Sequence, residues 1–318
     1  MLSSQRFRFG GESTDPEKAM YPAPFRYHRA GSADEAISLL GELGDGARPL
    51  AGGQTLLVWM KLRFDEPTDL VDIARIPDLS SIEHDDSEVR IGALATHGRI
   101  AASPLARLIP IVHDCANGIA DRQVRSRGTI GGSMAAGDPS CDWPALLHTL
   151  DAEILCQGPD GKRTIPVGDF VEDLYATALH EGEPVTGIRF ALPGARTAGA
   201  YVGFKRCAPA YPTASAGVQL TLSEDNDTCE DVRIALGSAG LTAIHATAAE
   251  KELRGQPLNK TTIERAAEAA VAASDPVDDQ RGSPAFKRAM LQVLVQRAVG
   301  IAIRRCNGEL IEHSHEYY

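Results

Sequence analysis

Residues 51–57 read Ala51-Gly52-Gly53-Gln54-Thr55-Leu56-Leu57, a glycine pair between a short strand-like run and an apolar segment. A second pair occurs further along, in Thr129-Ile130-Gly131-Gly132-Ser133. Glycine lets the backbone adopt positive φ and approach a ligand closely, and consecutive N–H groups in such a loop form an anion-binding nest. Thr55, Thr129 and Ser133 add hydroxyl groups. The two loops together therefore predict a site that binds one pyrophosphate from both sides.

The alternative is that each glycine pair is an ordinary turn, and the spacing alone leaves the two interpretations open. No G-x-G-x-x-G opens a helix, so the Rossmann fingerprint is absent, and Gly158–Lys162 lacks the pattern of a Walker A loop. A basic run, Arg122–Arg127, precedes the second pair. Its Arg122, Arg125 and Arg127 would either offset pyrophosphate charge or form a solvated or subunit-facing surface.

Composition narrows the function classes. The 318 residues include 32 Lys+Arg and 43 Asp+Glu, a net charge of −11, which argues against a protein that binds nucleic acid or an anionic membrane surface. No apolar run reaches the roughly 18 residues of a membrane span. Six cysteines occur without a C-x-x-C pair, and the N-terminus has no apolar signal segment. We expect free thiols and a cytoplasmic protein.

The chain divides by pattern into an N-terminal extension (1–22), a first domain (23–196), a second domain (197–306) and a tail (307–318). In the first domain a capping box at Ser32–Glu35 predicts a helix that ends at Gly41, and Pro104 and Pro110 divide a helical run over 100–119. In the second domain, strand-like runs precede helices, which favours an α+β fold. Its last helix is predicted to begin at Ser283-Pro284.

The two glycine loops and the downstream Asp138-Pro139-x-x-Asp142, in this order and at these separations, resemble one known family. This is the FAD-binding medium subunit of the molybdenum hydroxylases, the xanthine dehydrogenase and carbon monoxide dehydrogenase family, and the resemblance runs from Phe25 to Arg305. It implies an α+β fold, with a two-subdomain FAD-binding domain of the vanillyl-alcohol oxidase (PCMH) type. A smaller α+β domain of the CO dehydrogenase flavoprotein C-terminal type would follow.

The resemblance implies FAD as the cofactor, and no metal in this chain. Asp142 would hydrogen-bond the cofactor, Lys205 would contact the flavin side, and Tyr211 would lie near the isoalloxazine. Ile119 and Val185 would be apolar contacts to the flavin. The pyrophosphate would be held by the two loops, Leu50, Ala51, Gly52, Gly53, Gln54, Thr55, Leu56, Leu57, Thr129, Ile130, Gly131, Gly132 and Ser133.

The residues alone leave plainer roles open. Asp142 could cap the following helix, Lys205 could be a surface lysine at a strand end, and Tyr211 could be a core residue. The sequence also departs from the family at Gln54, where histidine is common, and at Ser133, where asparagine is common. Binding of the pyrophosphate by backbone amides should tolerate both changes.

The resemblance also implies partners. A large subunit would carry the molybdenum cofactor, and a small subunit would carry two [2Fe–2S] clusters, the whole forming a dimer of heterotrimers. FAD would pass electrons to NAD⁺, a quinone, O₂ or another acceptor, with no catalytic acid, base or nucleophile from this chain. Two alternatives are a self-contained flavin-dependent oxidase or reductase with its own organic substrate, and a flavin-free interaction protein of the same fold.

Overall fold

The structure is a computed structural model that describes residues 21–226 and 228–314. Most of the predicted extension 1–22 and the end of the predicted tail 307–318 lie outside the described residues. The described chain forms three successive units, each built on its own sheet. Within these residues, no helix has the length and apolar character needed to cross a membrane.

The first unit contains β1 (Arg26–Arg29), α1 (Ala33–Leu43), β2 (Ala47–Leu50), α2 (Leu56–Leu62) and β3 (Asp69–Asp72). Its strands form a parallel sheet in the order β1-β3-β2, and the central strand β3 is buried along its whole length. Helix α1 covers the sheet with an apolar stripe that includes Ala36 and Leu40. The chain leaves β2 directly into the first glycine loop.

Helix α1 differs from the prediction at both ends. The Ser32 hydroxyl caps it by accepting from the amide of Glu35, but the Glu35 carboxylate accepts from Gly31 at 2.7 Å, so the predicted capping box is only half formed. The helix also continues through Gly41 and ends at Leu43, where its C-cap residue, Gly44, has φ +64°. A glycine inside a helix costs only about 1 kcal/mol, whereas the left-handed end requires one.

The second unit is a five-stranded antiparallel sheet with helices packed against it. As predicted, Pro104 and Pro110 each begin a new helix. The unit's elements are β4 (Ile82–His84), β5 (Glu88–Gly92), α3 (His97–Ala102), α4 (Pro104–Leu108), α5 (Pro110–Gly118), α6 (Arg122–Arg127), α7 (Ile130–Ala136), α8 (Asp142–Thr149), β6 (Glu153–Gly158), β7 (Gly161–Pro166), α9 (Val167–Phe170), β8 (Val171–Asp173), β9 (Ala176–Thr177) and β10 (Val185–Ala191). The sheet order is β4-β5-β10-β6-β7, so the last strand returns to the middle of the sheet, and β8 and β9 pair separately with each other.

The third unit is a four-stranded antiparallel sheet covered by helices. Its elements are β11 (Thr197–Phe204), β12 (Ala214–Leu222), β13 (Cys229–Gly237), β14 (Ile244–His245), α10 (Thr247–Leu253), α11 (Lys260–Ala273) and α12 (Pro284–Cys306). The strands pair in the order β11-β12-β13-β14. Ser283 caps α12, as predicted, and Leu291, Val295 and Val299 on that helix belong to the unit's core. The α+β organisation expected from the sequence is therefore present.

A buried ion pair joins the second and third units. The Arg305 guanidinium near the end of α12 contacts both carboxylate oxygens of Asp114 on α5, at 2.6 and 3.0 Å, and both side chains are almost fully buried. The backbone amides of Tyr201 and Ser314 also donate to the Asp114 carboxylate. The described end of the predicted tail thus packs onto the junction between the two units.

Candidate cofactor site

The first glycine loop presents a run of unpaired backbone amides. Gly53 has φ +72°, and its carbonyl accepts from the amide of Leu57 at 3.2 Å, so α2 grows directly out of the loop. Five consecutive N–H groups donate to no other atom of the described chain, those of Gly52, Gly53, Gln54, Thr55 and Leu56. Such a run of free donors suits a diphosphate, whose oxygens accept hydrogen bonds. We call residues 52–56 the amide nest.

The second glycine pair lies in the first turn of α7, and its amides are already used. Those of Ile130, Gly131 and Ser133 donate to backbone carbonyls at 2.9–3.1 Å, and that of Gly132 donates to the Thr129 hydroxyl at 3.2 Å. The prediction of a second backbone nest is therefore wrong, because capping of α7 and pairing with the neighbouring strand end satisfy these donors. Contact between this segment and a cofactor stays a prediction, through the Gly132 surface and the Ser133 hydroxyl.

The two glycine segments lie against each other. A Cβ atom added to Gly52 would lie 2.1 Å from the carbonyl oxygen of Arg127 and 3.0 Å from the Cα of Gly128, the residue that precedes the second segment. Only glycine permits this approach of two backbones. The fold thus brings together two segments that are far apart in the sequence.

Asp142 belongs to a buried network with the third unit. The Tyr201 hydroxyl donates to Asp142 Oδ1 at 3.1 Å, and the Lys205 ammonium lies 3.8 Å from Oδ2. The side chains of Asp142 and Lys205 are 6% and 2% exposed. Burial raises the pKa of Asp142, and the charge of Lys205 opposes that rise. The Ser215 hydroxyl completes the network, 2.8 Å from that of Tyr201.

This network excludes the plainer alternatives for Asp142, as a helix cap, and for Lys205, as a surface lysine. Cys141, rather than Asp142, is the N-cap of α8, and the Asp142 side chain makes no capping bond. Lys205 follows β11 but is not a surface lysine, because its side chain is buried and its ammonium also donates to the carbonyl of Gly118. Direct contact of either residue with a cofactor stays a prediction. Tyr201 was missed because its buried strand position carries no sequence signal for a polar partner.

Tyr211 is a partly exposed residue close to other aromatic side chains. It is 44% exposed, so the alternative that it is a core residue is wrong. Its hydroxyl faces Asp138, and burial of that hydroxyl raises its pKa. Nearby, the ring of Tyr175, also close to Asp138, meets that of Trp59 edge-on at 5.5 Å. Tyr175 and Trp59 carry no sequence pattern that singles them out.

The remaining predicted residues occupy different settings. Ile119 is half-buried just after α5, whereas Val185 is 4% exposed in the core of the second unit. In the basic run, Arg125 donates to the carbonyls of Ile119 and Ala120, and so it stabilises the turn that contains these two residues. Arg122 and Arg127 are exposed, and a role of theirs in offsetting pyrophosphate charge stays a prediction.

The sequence also matches known families over almost its whole length. Residues 23–193 match the family described as the FAD binding domain in molybdopterin dehydrogenase, and residues 199–302 match the CO dehydrogenase flavoprotein C-terminal domain. The carbon monoxide dehydrogenase medium chain of Hydrogenophaga pseudoflava is 39% identical over 90% of this chain and 100% of its own length. The chain belongs to the FAD-binding medium subunits of the molybdenum hydroxylase family.

Other relatives of this FAD subunit serve several enzymes. The 6-hydroxypseudooxynicotine dehydrogenase complex subunit alpha of Paenarthrobacter nicotinovorans is 33% identical over 90% of this chain and 97% of its own length. Among solved structures, the H. pseudoflava carbon monoxide dehydrogenase superposes with a TM-score of 0.87 at 42% identity, covering 90% of this chain and 100% of the matched chain. Quinoline 2-oxidoreductase of Pseudomonas putida 86 reaches 0.85 at 29%, covering 90% and 99%. The predicted two-domain fold and the FAD cofactor are confirmed.

Substitution of the second glycine pair should separate packing from binding in the FAD subunit. A Cβ on Gly131 would lie 2.5 Å from the Cβ of Ala93, whereas on Gly132 it would meet only the Thr129 hydroxyl oxygen, at 2.8 Å, which caps α7. We expect Gly131→Ala to lower the free energy of unfolding by about 1–3 kcal/mol. Gly132→Ala should lose no more than the stability that this cap contributes, about 1 kcal/mol, but should retain less FAD. Denaturant titration and flavin absorbance measure the two effects, and equal destabilisation by both variants would contradict the assignment.

His97 gives the FAD subunit a pH-dependent stability. The Trp143 indole donates to His97 Nδ1 at 3.0 Å, and the ring packs beside Gly128, so the histidine is structural. Burial, with a smaller contribution from Arg125, lowers the pKa of His97 to about 3. The unfolded chain binds this proton at higher pH than the folded chain, so stability falls as pH drops from about 6.5 toward 3.

We expect His97→Asn, whose amide oxygen keeps an acceptor for the indole, to weaken this dependence. Between pH 6 and 5 the wild-type chain should lose up to about 1.4 kcal/mol more than the variant does. Urea denaturation at several pH values measures the difference. Identical pH profiles for the two proteins would show that His97 does not titrate as described.

Proposed function

We propose that this subunit holds the FAD diphosphate on the amide nest and carries electrons from a small [2Fe–2S] subunit to an external acceptor. The observation that carries the proposal is the run of five unpaired amides at residues 52–56, beside the second glycine segment. A diphosphate fits this set of donors because its oxygens only accept. The acceptor would be NAD⁺, a quinone, O₂ or another small molecule.

The chain's own residues would bind and orient the cofactor rather than transfer protons. The nest would fix the diphosphate, and the junction around Asp142, Lys205 and Tyr211 would border the flavin ring. Bound FAD supplies the exchange of one or two electrons at a time. His97 lies next to the second glycine segment but stays neutral at physiological pH, since its pKa is lowered to about 3. It therefore stabilises the fold without serving as a proton donor.

The substrate would be oxidised on another chain. Relatives at 33–34% identity include the 6-hydroxypseudooxynicotine dehydrogenase complex subunit alpha and a glyceraldehyde dehydrogenase medium chain, so one type of FAD subunit serves dissimilar substrates. We propose a cytoplasmic dimer of heterotrimers with a large molybdenum subunit and a small iron–sulfur subunit. In that assembly, this chain would determine where electrons leave the enzyme.

Purification of the tagged chain from its native host tests the proposal. We expect a yellow complex with one FAD per chain, molybdenum and iron, and a mass by light scattering that fits two copies of each subunit. Substrate should bleach the flavin only when all three subunits are present. A chain that purifies alone and is reduced by its own organic substrate would instead establish a self-contained flavoenzyme. A colourless chain that cannot be reconstituted with FAD would overturn both.

A further inference from the structure

Three consecutive backbone carbonyls, at the end of α5 and in the turn before α6, accept hydrogen bonds from two cationic side chains. The Lys205 ammonium donates to the carbonyl of Gly118. One guanidinium nitrogen of Arg125 donates to the carbonyls of Ile119 and Ala120, at 2.9 and 2.8 Å. Lys205 comes from the third unit and Arg125 from α6, so the turn is fixed from two directions.

The amides of this turn must point away from the cations. In a trans peptide the N–H lies antiparallel to the preceding carbonyl, and the described chain has no cis peptide. The amides of Ile119, Ala120 and Asp121 therefore face the other side, where none of them donates to an atom of the described residues. We call residues 118–121 the pinned turn.

The pinned turn is an unusual backbone segment. Ala120 has φ +43°, a left-handed conformation that costs a residue with a Cβ about 1–2 kcal/mol. Ile119, Ala120 and Asp121 are all half-buried. The unpaired amides of this turn are therefore free to donate to an acceptor from outside the chain. The strained segment is maintained by the two cations.

The position of the pinned turn matches one part of the cofactor. Helix α6 joins it to Arg127 and Gly128, which touch the amide nest at Gly52. A six-residue helix is about 9 Å long, a length comparable to the ribityl arm that separates the diphosphate of FAD from its flavin ring. With the diphosphate on the nest, the ring can reach the turn.

We propose that the amides of Ile119 and Ala120 hydrogen-bond the polar edge of the flavin ring, and that Lys205 and Arg125 are positioning residues that hold these amides in place. The inference rests on the proposed function and deepens it. Ile119 then contributes its backbone rather than only an apolar side chain, and Lys205 acts through the Gly118 carbonyl. Reduction adds negative charge to the ring, so fixed donors favour the reduced form and raise its midpoint potential.

Substitution of Arg125 tests the proposal against a simple charge effect. Arg125→Met removes both carbonyl contacts, Arg125→Lys keeps a donor, and Arg99→Met removes an exposed charge from α3, which packs against α6. We expect Arg125→Met to retain FAD but to bind reduced FAD about tenfold more weakly relative to oxidised FAD, a potential about 30 mV more negative. Arg125→Lys should recover most of this shift, and Arg99→Met should leave the potential unchanged.

Equal shifts in Arg125→Met and Arg99→Met would overturn the proposal, as would an Arg125→Met variant with an unchanged potential. For the other cation, Lys205→Met alone would leave the buried Asp142 charge unpaired, so the double variant Asp142→Asn/Lys205→Met keeps the fold testable. It should bind FAD and show a negative shift similar to that of Arg125→Met. Redox-dye titration of the FAD-loaded chain gives each potential. A wild-type chain that binds no FAD would overturn the proposed function as well, whereas bound FAD with unshifted potentials overturns only this inference.

Discussion

Gly53→Val is expected to leave the purified subunit with little or no FAD. Gly53 has φ +72°, and a β-branched side chain is a rare outlier in that region. Its Cβ would also lie 3.0 Å from a methyl group of Leu57 and 3.4 Å from one of Leu50. The loop would therefore change conformation, and the run of free amides would no longer converge. We expect FAD affinity to fall on the order of a hundredfold, about 2.7 kcal/mol.

Gly41→Val is the matched control for this prediction. Gly41 lies on the exposed side of α1, and a Cβ there would meet no atom within 4 Å. The same chemical change should leave FAD retention at the wild-type level. Equilibrium dialysis with FAD and flavin absorbance of the purified chains measure both variants. If a folded Gly53→Val variant bound FAD with wild-type affinity, the amide nest would not be the diphosphate site.

The sequence was most informative where a local signal determines local structure. Prolines at 104 and 110 divide the helical run as predicted, and α12 begins after Ser283 as predicted. Proline and N-cap residues act on the backbone directly, so a single sequence reveals them. At Gly41 the local rule failed, because packing of α1 on the first sheet extends the helix despite its glycine.

The candidate site was predictable only in part. Two glycine pairs looked equivalent in the sequence, yet one has free amides and the other begins a helix whose amides are all paired. That difference depends on partners such as Ala93 and Ala95, which are distant in the sequence. The network of Asp142, Tyr201 and Lys205 likewise joins two domains, and no spacing rule predicts such contacts.

Arg305→Met is expected to be among the most destabilising single substitutions in the chain. It would leave the Asp114 carboxylate, which is fully buried, without its cation, and removal of one partner of such a pair typically costs about 3–5 kcal/mol. It would also free the carbonyls of Gly199 and Ile311, both of which accept from Arg305. Urea denaturation should show the loss as a lower midpoint.

The double variant Asp114→Asn/Arg305→Met separates the buried charge from the rest of the contact. The amides of Tyr201 and Ser314 donate to different oxygens of Asp114, and asparagine keeps one of these two acceptors. Because asparagine carries no charge, about half of the lost stability should return. Because Tyr201 also donates to Asp142, the single variant should lower FAD retention together with stability. FAD retention should recover in the double variant. A double variant as unstable as Arg305→Met would show that the unpaired carboxylate is not the cause.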